Sequence, residues 1–448
     1  MSGAEDWSRR RLHFVGIGGA GMSGWASVAA ELGAAVSGSD ADESAALAAL
    51  RERGIDARAG HDAANIPDGD EVELVRSTAV PDDNPELVAA RARSLRVMGR
   101  ADLLAELTAL RRTIAVAGAH GKTTTTSMVA QILIRCGLDP GYLIGGELRS
   151  TGRNAAWGSG EWLVIEADES DRSMLALNVE VAVVTNVELD HHANYGSLAE
   201  LREVFRTFLS GAPEAVIPNS AELLELRGER PVSAFQVESL ELLPGGSQFR
   251  WRDQQVELNV PGAHNAANGV AALEAALLAG VSVTDGAAAI GEFTGAGRRF
   301  EQIGRSEAGA LIIDDYAHHP TEVEATIAAA RTLGSDRIIA VFQPHLFSRT
   351  ERLASEFGRA LAAADVVCVL DVYGSRESQD DFPGVSGRMI AAAAADAAAG
   401  REVLWIPDFE AARAQLSDRL RPGDACLILG AGDVRLLGED LTVEPNSR

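Results

Sequence analysis

Three times along the chain an apolar run ends in a short turn and passes at once into a stretch with helical spacing. The runs are LHFVGIGG before GAGMSGWASVAAELG, TIAVAGAHG before KTTTTSMVAQILIRCG, and ALIIDDYAHH before PTEVEATIAAAR. A strand entering a helix through a tight turn is the repeating unit of a parallel α/β sheet, because parallel strands need a long crossover connection. Each restart predicts a new α/β domain, and 448 residues are enough for about three. The blocks divide near residues 110 and 305, giving domains 1–110, 111–305 and 306–448.

Within the first block AAVSGSD supplies a second strand, residues 74–78 another, and residues 85–94 and 101–110 helices. The second block adds strands in WLVIEADES and VAVVTNVELDHH. Residues 233–237 and 248–260 alternate, contain turn glycines and read as a small antiparallel excursion. A helix begins near His264. The third block adds RIIAVFQPH, VVCVLDVYG and ACLILGAGDV, and the alanine run 391–399 reads as helix because alanine is the best helix former.

Composition narrows the function. No apolar run approaches the ~18 residues of a membrane span, and MSGAEDWSRRR lacks the apolar centre of a signal peptide. Three cysteines, Cys136, Cys368 and Cys426, have no paired or metal-like spacing, so a reducing compartment, the cytoplasm, is expected. A net charge of −25 argues against a general nucleic-acid binder. Lysine occurs once, at Lys122, against a total of 40 lysines and arginines. Arginine evidently does not serve at that position.

Lys122 lies in AGAHGKTTTT. Backbone amides of such a loop wrap phosphate oxygens, the lysine bridges the terminal phosphates and the following hydroxyl meets magnesium. Val116 stands where a strict phosphate-loop motif has its first glycine, so the cradle is the shorter Gly118-Ala119-His120-Gly121-Lys122-Thr123. Earlier, Gly16, Gly18 and Gly21 fit G-x-G-x-x-G between strand and helix, with Asp40 ending the next strand as an acceptor for ribose hydroxyls. That spacing serves NAD as well as any other nucleotide diphosphate.

Further polar groups fall at expected strand ends, where α/β sheets bind ligands. Glu166, Asp168, Glu169 and Asp171 follow WLVI; Glu166 suits a metal ligand, and Asp171 a helix cap equally well. Asp190, His191 and His192 offer a second metal position. His264, Asn265 and Asn268 open a helix, and Arg298 and Arg299 end the second block within reach of a phosphate. In the third block Asp315, Tyr316, His318, His319, His345, Arg349, Tyr373, Arg376 and Glu377 suit recognition of a small zwitterion such as an amino acid.

Taken in order, HFVGIGGAGMSG, SGSD, AGAHGKTTTT, EADESD, TNVELDHH, GAHNAANGVAA, GRRFE, DDYAHHPTE, FQPHLFSRT, DVYGSRE and LGAGD resemble the Mur ligase family over nearly the whole chain. The resemblance implies an α/β protein of three domains: a Rossmann-like N-terminal domain, a P-loop-type central ATPase domain and a Rossmann-like C-terminal domain. It implies an ATP-dependent amide-bond-forming ligase of peptidoglycan precursor synthesis, using Mg2+ at two sites. By position, Gly118, His120, Gly121, Lys122, Thr123, Thr124, His264, Asn265, Asn268 and Arg299 would hold ATP. Thr123, Glu166 and His191 would hold metal. Gly16, Gly18, Gly19, Gly21, Met22, Ser23, Ser39, Asp40, Ser77 and Thr78 would serve the UDP portion of the substrate. Tyr316, His318, His345, Arg349 and Arg376 would bind the amino acid, and Lys122, His191, Arg299 and His318 would carry the chemistry.

Branches of the family that add later residues carry a carbamylated lysine at the second metal. The only lysine here is committed to the phosphate loop, so the resemblance points to the branch joining L-alanine to the lactyl carboxylate of UDP-N-acetylmuramate. Some of its members have an arginine directly after the histidine of FQPH. This chain has Leu346, which leaves carboxylate recognition to Arg349 and Arg376, and HHANYG gives Ala193 and Asn194 no role. Expected partners are UDP-N-acetylmuramate and L-alanine, with no nucleic acid, no membrane, and a monomer or weak homodimer. The alternatives are a recycling ligase that attaches a tripeptide to the same sugar nucleotide, an NAD-dependent oxidoreductase, and a nucleotide-controlled binding module without turnover.

Overall fold

The computed structural model describes residues 6–189 and 195–443. The chain forms two compact units, Met1–Gln236 with Asn268–Ile290, and Val237–Ala267 with Gly291–Arg448.

The first unit holds two sheets. β1 (Arg11–Val15), β2 (Ala35–Asp40), β3 (Asp56–Ala59), β4 (Val72–Arg76) and β5 (Arg96–Gly99) pair in the order 3-2-1-4-5, every neighbour parallel. Helices α1 (Ala20–Glu31), α2 (Ala45–Glu52), α3 (Pro85–Ala92) and α4 (Arg100–Thr108) connect them. Strand order reverses at β1, between β2 and β4, and a sheet of this kind opens its binding crevice at such a reversal.

The next sheet contains β6 (Arg112–Ala117), β7 (Gly141–Leu148), β8 (Arg153–Ala156), β9 (Trp162–Glu166), β10 (Val181–Val184), β11 (Glu214–Pro218) and β12 (Ser233–Phe235), in the order 12-11-10-6-9-7-8. Only β8 runs antiparallel. α5 (Lys122–Arg135) follows β6 and is buried from Thr123 to Leu133. α6 (Leu198–Gly211) is amphipathic: Leu201, Val204, Phe205, Phe208 and Leu209 face the core at helical spacing, and Ser197 caps it by accepting from the Glu200 amide. α7 (Ala221–Arg227) follows β11. α1 packs on β7 and β8, so both sheets of this unit share one apolar core. Each fully buried large side chain there, such as Phe205 or Leu163, contributes roughly 1.5–3 kcal/mol.

The second unit holds a three-stranded antiparallel sheet, β13 (Glu238–Leu243), β14 (Gly246–Trp251) and β15 (Gln254–Leu258). α8 (Ala263–Leu278) runs through the division of the chain, and α9 (Val283–Ile290) follows it in the first unit. Then come β16 (Glu301–Ser306), β17 (Leu311–Asp315), α10 (Pro320–Arg331), β18 (Arg337–Phe342), α11 (Phe347–Leu361), β19 (Val366–Val369), α12 (Gly387–Ala397), β20 (Glu402–Trp405), α13 (Phe409–Arg419), β21 (Asp424–Leu429), α14 (Val434–Leu441) and β22 (Thr442–Val443). The sheet order is 20-19-18-21-17-16-22, with a parallel centre and β16 and β22 antiparallel at one edge.

Two expectations are corrected. Residues 233–235 lie outside the antiparallel excursion and add parallel to β11, because their alternating pattern suits any half-covered edge strand. The strand in VAVVTNVELDHH stops at Val184, where Thr185 and Asn186 turn their side chains onto the neighbouring loop. Among the described residues no helix is long and apolar enough to cross a membrane.

Candidate active site

The glycine turn after β1 is drawn tight by the strands beside it. The amides of Gly16 and Ile17 both donate to the Ser39 carbonyl, at 2.8 and 2.9 Å. Gly16 has φ +84°, and a Cβ there would lie 2.9 Å from Ser77 Cβ, so the loop after β4 can close on it only because the residue is glycine. The Asp40 carboxylate accepts from the Gly18 amide at 2.7 Å and from the Ala41 amide at 2.8 Å. That qualifies the expectation that Asp40 serves ribose hydroxyls, since each oxygen already holds a backbone N–H and the group shapes the turn. Gly19 caps α1 with no side-chain bond, so the first-turn amides carry no side-chain cap.

Gly16, Gly18, Gly19, Gly21, Ser23, Asp40, Ser77 and Thr78 thus gather around the C-terminal ends of β1, β2 and β4. Met22 and Ser39 differ. Met22 is buried in the core and Ser39 is fully buried, its hydroxyl turned inward. Sequence reasoning passed over His61, which follows β3 and hydrogen-bonds Ser39 Oγ at 2.9 Å.

The loop expected to cradle phosphate, residues 118–123, is held from three sides. α5 is preceded by its N-cap Gly121, which has φ +80° and over which Asn268 lies so closely that a Cβ would meet its Oδ1 at 2.5 Å. The His120 amide donates to Asn186 Oδ1 at 2.9 Å, and its carbonyl accepts from Thr185 Oγ1 at 2.5 Å and from Asn186 Nδ2 at 2.9 Å. These two clamping residues were legible only as part of TNVELDHH. Lys122 Nζ donates to the Gly118 carbonyl at 2.6 Å and to both oxygens of buried Glu169 at 3.0 Å. Burial works against its charge, but Glu169, Asp168 and Glu166 outweigh it and hold the ammonium above the usual lysine range.

Thr123 Oγ1 lies 3.3 Å from Glu166 Oε2, and Glu166 Oε1 accepts from the Gly145 amide at 2.5 Å. Adjacent ligands of an octahedral ion at 2.0–2.1 Å are about 3 Å apart, so this hard-oxygen pair fits Mg2+. Thr124 is buried behind it. Burial raises the Asp168 carboxyl, and the Lys122 and Arg100 charges more than reverse that. Asp171 lies 3.4 Å from Arg100 and accepts from the Ser173 amide. Asp190, His191 and His192, and with them the expected second metal position, lie outside the described residues, as do Ala193 and Asn194.

In the second unit, His264 is exposed at the start of α8, while Asn265 is buried and bonds back to the Pro261 carbonyl at 2.7 Å. Arg298 is taken up by Asp314 at 3.3 Å and by the carbonyls of Gly430 and Gly432, a structural role where a phosphate contact was expected. Arg299 lies over the Tyr316 ring at 5.1 Å and 3.7 Å from Glu322.

The expected amino-acid residues partly converge. Rings of Tyr316 and His318 meet edge-on at 5.3 Å, His318 and His345 at 6.2 Å, and His345 stacks on Tyr373 at 5.8 Å. His318 Nδ1 lies 2.9 Å from the Tyr316 carbonyl, which only accepts, so in the neutral ring Nδ1 carries the proton and Nε2 is the basic nitrogen. Burial lifts the Asp315 carboxyl to about 6 against Arg299 and the Phe300 and Ala317 amides. His319 instead caps α10, accepting from the Thr321 amide at 3.4 Å. Arg349 is buried in the first turn of α11, and Arg376 is exposed on the loop beyond Tyr373, beside Glu377, which accepts from Ser348.

Family models match three successive stretches: the Mur ligase family catalytic domain over residues 11–112, the Mur ligase middle domain over 116–276, and the Mur ligase glutamate ligase domain over 298–432. The UDP-N-acetylmuramate--L-alanine ligase of Mycobacterium sp. (strain JLS) is 44% identical, over 98% of this chain and 96% of its own. That of Mycolicibacterium paratuberculosis is 43% identical over 96% and 94%. Among solved structures, the UDP-N-acetylmuramate-alanine ligase of Thermotoga maritima superposes with a TM-score of 0.83 at 30% identity, covering 96% of this chain and 98% of that one. A murein peptide ligase from Psychrobacter arcticus reaches 0.73 at 25% identity, over 96% and 98%. With three family domains in order and relatives matched nearly end to end, the chain belongs to the Mur ligase family.

Proposed function

We propose that the chain is an ATP-dependent ligase joining L-alanine to the lactyl carboxylate of UDP-N-acetylmuramate through an acyl phosphate. One observation carries the reading: the only lysine in the chain sits in the phosphate loop, bonded to Gly118 and Glu169, so no second lysine exists to be carbamylated. Similarity over nearly the full chain to ligases named for UDP-N-acetylmuramate and L-alanine supports it. Residues 1–110 are assigned to the sugar nucleotide, 111–305 to ATP and 306–448 to the amino acid.

A carboxylate is a poor acyl donor because attack on it would expel oxide. Transfer of the γ-phosphoryl group creates a good leaving group, and the alanine amine then displaces phosphate. Such chemistry asks the protein for positioning and charge neutralisation more than for covalent help. Lys122 and the amides of residues 118–121 would meet the phosphates, with Asn268 and Arg299 at the nucleotide. Thr123 and Glu166 would hold Mg2+, which when bound offsets phosphate charge. His318 Nε2 is the nitrogen suited to take a proton from the alanine ammonium. Arg349 and Arg376 would receive the alanine carboxylate.

The test is phosphate release by the purified protein with ATP, Mg2+ and UDP-N-acetylmuramate across a panel of amino acids and the tripeptide. L-alanine is expected to give the highest turnover. A preference for the tripeptide would replace this reading with the recycling one, and ATP binding without turnover on any acceptor would remove both.

A further inference from the structure

Beneath the glycine turn lies a buried polar chain that the reaction does not use. Glu86, in the first turn of α3, is 0% exposed. Its Oε2 lies 3.1 Å from His13 Nε2 and accepts from Ser39 Oγ at 2.7 Å. Its Oε1 accepts from the Asp62 amide at 3.1 Å and from Asn65 Nδ2 at 2.9 Å. Four hydrogen bonds fill the acceptor sites of one carboxylate. Burial alone would favour the neutral acid, but bonds from His13, Asn65 and Ser39 overcome it and hold the group at about 2, so it is ionised and can only accept.

That fixes the direction of each bond beyond it. Ser39 must donate its proton to Glu86, so toward His61 Nδ1, 2.9 Å away, the same hydroxyl can only accept. His61 Nδ1 therefore carries the ring proton, and in the neutral imidazole Nε2 is left as an acceptor. His61 Nδ1 also lies 3.5 Å from Glu86 Oε1, which again favours the proton there; the residue is 19% exposed, and among the described residues no group bonds its Nε2. The residue follows β3 directly: the neighbouring Gly60 amide donates to the Asp40 carbonyl at 2.8 Å, and the Ser39 carbonyl anchors the glycine turn. His61 thus borders the loop assigned to the sugar nucleotide.

We infer that Glu86 is a positioning residue which, acting through Ser39, fixes His61 as a hydrogen-bond acceptor for the imide N3–H of the uracil ring. The inference rests on the sugar-nucleotide assignment above. It gives the site a chemical preference, because cytosine has an unprotonated N3 at the corresponding place and would set acceptor against acceptor.

Glu86→Gln tests it without emptying the core. The Gln oxygen must stay where Asp62 and Asn65 donate, which turns its NH2 toward His13 and Ser39. Ser39 would then accept from the amide and donate to His61 Nδ1, moving the ring proton to Nε2. The bonds from Asp62 and Asn65 keep their direction, those on the His13 and Ser39 side survive with their polarity reversed, and His61 becomes a donor. In the full-length enzyme, nitrogen-15 spectra of the His61 ring are expected to show Nδ1–H in the wild type and Nε2–H in the variant. KM for UDP-N-acetylmuramate should rise about tenfold with kcat and KM for ATP little changed, as for one reversed hydrogen bond. The kcat/KM preference for the UDP sugar over CDP-N-acetylmuramate should fall at least as far.

An Nε2–H ring in the wild type would overturn the inference even if the variant failed to fold. An unchanged UDP-to-CDP preference in a folded variant whose tautomer has switched would overturn the reading of the base. Absence of any wild-type turnover with UDP-N-acetylmuramate would instead sink the functional assignment beneath it.

Discussion

At Lys122 the backbone and a buried carboxylate together define a socket for a compact ammonium. Gly118 O at 2.6 Å, two Glu169 oxygens at 3.0 Å and, more distantly, Ala119 O at 3.4 Å converge on a single nitrogen, which suits the rotatable, closely grouped donors of a lysine head group. A guanidinium is planar, longer and spreads its donors in a fork, so it cannot satisfy acceptors converging on one point. Lys122→Arg is therefore expected to lose ATP-dependent amide formation almost as completely as Lys122→Ala, on the order of a hundredfold or more in kcat/KM, the scale on which a transition-state charge partner acts. Phosphate release at saturating substrates measures it. An arginine variant retaining a tenth of the wild-type rate would mean that Lys122 supplies only general positive charge.

At the level of elements, the start of α5 shows why a glycine was legible and its reason was not. Gly121 in a glycine- and threonine-rich run is enough to expect a phosphate loop. The left-handed φ of +80° and Asn268 pressed over the residue arise from a helix nearly 150 positions later, which no local pattern reports. The same holds elsewhere. β1, β6 and β17 were readable because buried parallel strands are continuous apolar runs, whereas β12 misled because three alternating residues fit either an edge strand or a hairpin. His61 and Glu86 were missed because neither stands in a motif, and their partnership exists only once β2, β3 and α3 have assembled. Position in the chain puts Arg298 within reach of a phosphate beside Arg299, yet Asp314 and two carbonyls take it up. For Gly121→Ala, a side chain in the left-handed region costs about 1–2 kcal/mol before any clash with Asn268. The variant should lose roughly 1–3 kcal/mol of stability in urea unfolding, with a raised KM for ATP and an unaltered KM for the sugar nucleotide. Wild-type stability and ATP affinity in that variant would show that Asn268 and the loop relax freely, against the rigid cradle drawn here.

For the whole molecule, the division of the chain matters more than the number of sheets. Both loops proposed to meet nucleotides, residues 16–23 and 118–124, belong to one compact unit whose two sheets share an apolar core, whereas Tyr316, His318, His345 and Arg349 belong to the other. A ligand stabilises the structure it binds by mass action, about 2.7 kcal/mol at a hundredfold excess over Kd, and slows amide exchange where local opening must first release it. UDP-N-acetylmuramate alone is therefore expected to protect amides near residues 16–23, 39–41 and 77–78 from hydrogen exchange, leaving residues 311–319 and 343–350 at their unliganded rates. Protection spread equally over both units by the sugar nucleotide alone, or confined to the second, would contradict the assignment of that substrate to the first sheet. It would also separate the inference drawn for His61 from the site on which it depends, because the ring would then border an unused turn.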